Sequence, residues 1–149
     1  MVTVDSSVAS SSADIVHSWQ PETLRSISQL HIRVAKDCRF GASAERLQAG
    51  VENYLRRSGL PVSSNSTNQR VAPYLNLLIN CGSTTLDTTL SISLDVIQNV
   101  QLNGQTIQAE TYSGPGVHGY TTAAEYTRRE PQIITDLLDT FISDWNAVR

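Results

Sequence analysis

The sequence predicts an α+β two-layer sandwich, with two helices packed on one face of a mixed, largely antiparallel four- to five-stranded sheet in the order β-α-β-β-β-β-α. Three observations predict it. Leu86, Thr88, Leu90, Ile92, Leu94 and Val96 alternate with Asp87, Thr89, Ser91, Ser93 and Asp95, the period of a strand buried on one side. Asn103-Gly104 is a tight-turn dipeptide between two apolar runs, because both central residues tolerate positive φ. Ile134, Leu137, Leu138, Phe141, Ile142 and Trp145 fall on one helical stripe that needs a sheet to cover.

Taken in order, residues 1–24 carry Ser6-Ser7 and Ser10-Ser11-Ser12 without sustained periodicity, which reads as a flexible arm docking near Trp19 and Pro21. A single domain follows over 25–149. Leu30, Ile32 and Val34 alternate with His31, Arg33 and Ala35, giving a strand over about 29–37. Ser43 can accept a hydrogen bond from a free amide, Leu47, Val51 and Leu55 form an apolar stripe, and Gly59 can take the left-handed terminating conformation. Glu45 in the first turn and Arg56 and Arg57 in the last complement the helix dipole. Pro61 stops the helix, and Ser63 to Arg70, with the sequon Asn65-Ser66-Thr67, reads as a loop.

Strands are then expected at Tyr74–Cys81, along the alternating run above, and at Thr106–Tyr112 after the Asn103-Gly104 hairpin. Ser113 to Gly119 reads as a glycine-rich loop, and the last helix is expected to start near Pro131, since proline is tolerated in a first turn.

The chain has 149 residues, a formal net charge of −3 and well-mixed signs, which gives no electrostatic footprint for nucleic acid. Its longest aliphatic run, Leu77-Leu78-Ile79, is far short of the roughly 20 residues of a membrane-spanning helix. Residues 1–20 lack a basic start and apolar core, so the chain as written carries no export signal, as would a chain starting at a mature terminus.

Catalytic chemistry is not legible. The three histidines, His17, His31 and His118, stand in no nucleophile–base motif. Gly114-x-Gly116-x-x-Gly119 has the spacing of a dinucleotide fingerprint, but it contains Pro115 and lacks the following apolar helix, so no cofactor is implied. Asp136, Asp139 and Asp144 read as the solvated side of the last helix, and no metal site is expected. Cys38 and Cys81 form either one disulfide or two thiols; a bond requires that their strands be parallel neighbours.

Two surfaces remain. Alternation places His31, Arg33, Asn76, Asn80, Thr89, Ser91, Ser93, Gln108 and Glu110 on the sheet face away from the helices, a polar surface for a protein partner. Tyr112, His118, Tyr120 and Arg128, with Tyr126 and Arg129 nearby, form the alternative, a small-ligand or active-site pocket over the glycine-rich loop.

Leu30-His-Ile-Arg-Val, the run Val51 to Val62, Pro73-Tyr-Leu-Asn-Leu and the ending Leu137 to Trp145 resemble the small amino-terminal, anticodon-binding-like domain of the TolB family of bacterial envelope proteins. The resemblance spans about residues 28–147, in hydrophobic pattern and element order, and no propeller repeats follow. It implies a non-enzymatic module that binds other protein subunits in the periplasm or at the envelope; without it, a cytoplasmic adaptor is expected, and a homo-oligomer is compatible with either.

Overall fold

The alternation along the third long apolar run builds the middle of the sheet. The computed structural model describes residues 2–3, 21–63, 71–83 and 88–149. In it a short strand β1 (Val2–Thr3) and a 3-10 turn (Pro21–Leu24) precede β2 (Leu30–Asp37), α1 (Ala44–Arg57) and β3 (Val62–Ser63). Then come β4 (Tyr74–Ser83), β5 (Thr88–Leu102), β6 (Gln105–Ser113), β7 (Val117–Thr121) and α2 (Ala123–Ala147). The sequon Asn65-Ser66-Thr67, His17, Trp19, Leu86 and Asp87 lie outside the described residues.

The sheet runs β1-β5-β4-β2-β3, with β6 and β7 both paired to β5. The long pairs β4–β5, β5–β6 and β5–β7 are antiparallel, whereas β2–β4 is parallel. The fold is α+β, two helices over one face of a mixed, largely antiparallel sheet, as the sequence predicts. Asn103 and Gly104 have φ of 51° and 78°, the two positive values that a two-residue hairpin twisting with its strands requires.

One face of this sheet is dry. Ile32, Val34, Leu75, Leu77, Ile79, Ile92, Leu94 and Val96 all lie beneath α1 and α2, whose Val51, Leu55, Ile134, Leu138 and Phe141 complete the core. Ser43 caps α1 by accepting from Arg46 N, and α1 ends as Gly59 takes φ +92°. Gly59 N donates to Arg56 O and Leu60 N to Leu55 O, while Leu55 and Leu60 are both buried, so the terminating motif and its apolar clasp coincide. Leu24, assigned to the arm by the sequence reading, is fully buried, and Thr23 bonds the carbonyl of Thr111. Arg149 donates to the carbonyls of Arg25 and Ile27 and stacks on Trp145, closing the same end of the core.

Two expectations are corrected. The last helix begins at Ala123, eight residues before Pro131, and Pro131 stands inside it. Thr122 accepts from Glu125 N, so Thr122-Ala-Ala-Glu125 is a capping sequence that starts the helix upstream of the proline. The glycine-rich run is not a loop throughout: Val117–Thr121 form β7, which continues the edge begun by β6. Gly114 N still bonds Leu94 O at 2.8 Å, so only a short kink interrupts this edge strand.

Candidate functional site

Registers across four strands define the rows of the face opposite the helices. One row is His31, Tyr74, Ile97 and Glu110; the next is Arg33, Asn76, Asp95 and Ser113. Ala35, Leu78 and Ser93 follow, then Asp37, Asn80, Ser91 and His118, and finally Gly82, Thr89 and Tyr120. All nine residues assigned to the partner surface therefore share one face: His31, Arg33, Asn76, Asn80, Thr89, Ser91, Ser93, Gln108 and Glu110. Both helices and the 3-10 turn pack on the other face; on this one Tyr74 and Asn76 are buried, and Arg33, Ser91, Ser93 and Asp95 are half-buried.

The face carries both signs of charge, with Arg33 and Asp37 on β2 and Asp95 and Glu110 on β5 and β6. On the β2 side Arg33 Nη1 donates to Asn76 Oδ1 at 2.8 Å, and the His31 Nδ1 atom is buried without a hydrogen-bond partner. On the β5–β6 side Ser113 Oγ donates to Asp95 Oδ1 at 3.3 Å. Desolvation holds the Asp95 carboxyl above the usual carboxylate range, and Glu110 is pushed up by desolvation and then by the charge of Asp95. Thr89 is tied to Gly82 through both its hydroxyl donor and acceptor. The rest mixes small polar side chains with Tyr74, Leu78 and Ile97, and Tyr120, 77% exposed, projects at the edge.

The residues of the alternative pocket do not converge. Tyr112 is buried on the helix side, where its hydroxyl donates to Asp144 at 2.6 Å, and burial together with that carboxylate pushes its pKa far up. His118 and Tyr120 are exposed on the open side, and Arg128 is on α2 beside Glu125 at 2.6 Å. Tyr126 is buried and Arg129 faces Glu125 at 3.7 Å. Of the acids expected on the solvated side of α2, Asp144 is thus a half-buried partner of Tyr112, Asp139 accepts from Tyr54 and Asp136 from Gln132. Among the described residues no group of three or more metal-ligating side chains is assembled. Nor is any described helix long and apolar enough to cross a membrane.

Cys38 and Cys81 are bonded to each other, their Cα atoms 4.8 Å apart, across the parallel neighbours β2 and β4. Beside this bond is a cluster that sequence reasoning missed. Lys36 Nζ lies 2.7 Å from Glu130 Oε2, with both side chains only 3% exposed. Lys36 also donates to Ala42 O at 2.6 Å, while Glu130 accepts from Ala42 N at 2.8 Å and from the Tyr126 hydroxyl. The inward phase Leu30, Ile32, Val34, Lys36 was the available signal: it puts the chain's one lysine on the core face.

Between the helices a cleft of about 230 Å³ opens to solvent, floored by Leu47, Val51, Ile134 and Leu138. Comparison of the chain with protein-family models, curated proteins and solved structures returns no match.

Proposed function

We propose that the chain is a non-enzymatic protein-binding or scaffolding subunit of a larger, envelope-associated assembly, and that its partner docks on the open face of the sheet. The carrying observation is that this face, opposite the helices, carries both signs of charge among small polar side chains: Arg33 and Asp37 on β2, and the desolvated carboxyls Asp95 and Glu110 on β5 and β6. Small hydroxyl and amide side chains between them cost little entropy to order, and no lysine lies on it, a composition suited to an adaptable protein contact. The fitting occupant is a protein surface of mixed charge, with acids opposite Arg33 and a guanidinium or ammonium opposite Asp95 and Glu110. Such a cation would favour the ionised carboxyls and release protons on binding.

The Cys38–Cys81 bond supports an oxidising compartment, and the TolB-like order of elements supports an envelope setting. Arg33→Glu combined with Ser91→Arg should abolish assembly while leaving the thermal unfolding midpoint within a few degrees of the parent. Complex formation unchanged by the pair would remove this face from the account; deleting residues 1–20 tests the arm separately.

A further inference from the structure

The cleft between α1 and α2 lies on the layer opposite the open face, and its features point to a second ligand. The two helices run in the same direction: the segment leading into α1 meets α2 where Glu130 accepts from Ala42 N, and α1 itself meets it where the Tyr54 hydroxyl bonds Asp139. Between these ends the walls recede, because α1 offers Gly50 and α2 offers Pro131 and Thr135.

Gly50 has no internal reason to be glycine. A Cβ there would meet nothing within 4 Å, and its backbone is not in the positive-φ region that glycine serves. A helix-weakening residue in mid-helix with open space above it suits close approach by another backbone. Pro131, on the facing wall, is a second residue that weakens its own helix.

Charge selects the visitor. Arg46 and Arg57 both border the cleft, and among the described residues neither side chain makes a hydrogen bond or ion pair; the acids beside them are committed elsewhere, Glu130 to Lys36 and Asp139 to the Tyr54 hydroxyl, with Asp136 further along α2. They are eleven residues apart on α1, about three turns and roughly 16 Å, and so stand on one side of the helix. Arg46 sits in the first turn of α1, where the helix dipole disfavours a cation. The volume falls below the roughly 300 Å³ at which small-molecule sites begin, while the open, elongated, apolar floor accepts a row of side chains.

We infer that the α1–α2 cleft binds an acidic amphipathic helix of a partner protein, its apolar side chains over Leu47, Val51, Ile134 and Leu138, its backbone passing close to Gly50, and its carboxylates paired with Arg46 and Arg57. This site is independent of the open sheet face, and either can fail without the other.

The test pans the full-length chain against a displayed library of helical peptides of about 16 residues, four to five turns, then maps the best synthetic binder by amide chemical shifts. Enriched sequences should carry net negative charge and an apolar face at i, i+3, i+4 and i+7, and should shift the amides of Gly50 and Thr135. Gly50→Leu, which projects into open space, and separately Arg46→Glu with Arg57→Glu, should each lower affinity at least about tenfold. Thr135→Leu narrows the cleft from the other wall and serves if Gly50→Leu does not fold. No enrichment, an enriched pool without acidic bias, shifts on the sheet face instead, or affinity indifferent to both cleft-filling variants would each overturn the assignment. Decanoate producing the same shifts and displacing the peptide would reassign the cleft to a lipid.

Discussion

Gly41 holds φ +79°, and a Cβ there would lie 2.6 Å from the Glu130 carboxylate, so this glycine is required by both backbone and space. Gly50 is the opposite case, with nothing within 4 Å of its missing Cβ. Gly50→Ala should therefore stabilise the chain by about 0.5–1 kcal/mol, read as a higher midpoint in urea, because alanine orders into a helix at lower entropic cost. At Asp95 the sign of the pH dependence follows from desolvation. Its folded pKa is raised, so between the unfolded and folded values the native state holds more protons, and this residue's contribution to stability declines as pH rises through that window. Asp95→Asn should raise the thermal midpoint at pH 7, with the gain fading as the pH drops below the raised pKa; a gain that persists or grows in acid would contradict the desolvation account. Both residues were in plain view in the sequence. Only the register of β5 against β4 and β6 shows that Asp95 is hemmed in, and only the placement of α2 shows that Gly50 faces a gap.

Elements were legible wherever a short-range cause set them. Ser43, Gly59 and the Asn103-Gly104 turn act within a few residues, and α1 and the β5–β6 hairpin stand where those signals place them. Helix α2 was mis-started because Pro131 suits a first turn, whereas the capping contact between Thr122 and Glu125 lies two turns upstream. An interior proline costs about 3 kcal/mol of helix stability, and what holds α2 through it is long-range: Glu130, the residue before the proline, is bonded to Lys36 and to Ala42 N. Glu130→Ala should consequently destabilise by about 3–5 kcal/mol, since it strands the ammonium of Lys36 in the core. Lys36→Met with Glu130→Gln removes both charges and keeps an acceptor for Ala42 N, so a denaturation double-mutant cycle should show the pair losing less than the sum of its singles. Strict additivity would mean that the two do not act as a pair. The edge strand β7 escaped notice for a related reason: glycine and proline at 114–116 mark a turn locally, and pairing with Thr88–Ile92 is a property of the sheet.

Across the whole molecule, the layer order was readable from amphipathic patterns alone, because each apolar stripe has one way to leave water. The order of strands was not, and the cysteine pairing depended on it. With β2 and β4 adjacent and parallel, the Cys38–Cys81 bond closes a loop with a sequence separation of 43, worth roughly 4 kcal/mol by chain entropy. Replacing both cysteines by alanine should lower stability by about 2–5 kcal/mol in denaturant, and thiol counting on protein from its native source should find none free. The two layers also separate the two proposed surfaces, sheet face and helix cleft, so that one subunit could join two partners. Because the chain's one lysine is buried, amine-directed reagents find no exposed lysine side chain, and carboxyl-directed crosslinking is the means to trap a partner.

The decisive measurement is such a crosslinking pull-down of the full-length protein from its own source, run beside the Arg33→Glu, Ser91→Arg variant, with the crosslinks mapped by mass spectrometry. The account predicts a stoichiometric protein partner joined through Asp95 or Glu110 and lost from the variant. A solitary domain, or a partner held equally by the variant and crosslinked elsewhere, would contradict it.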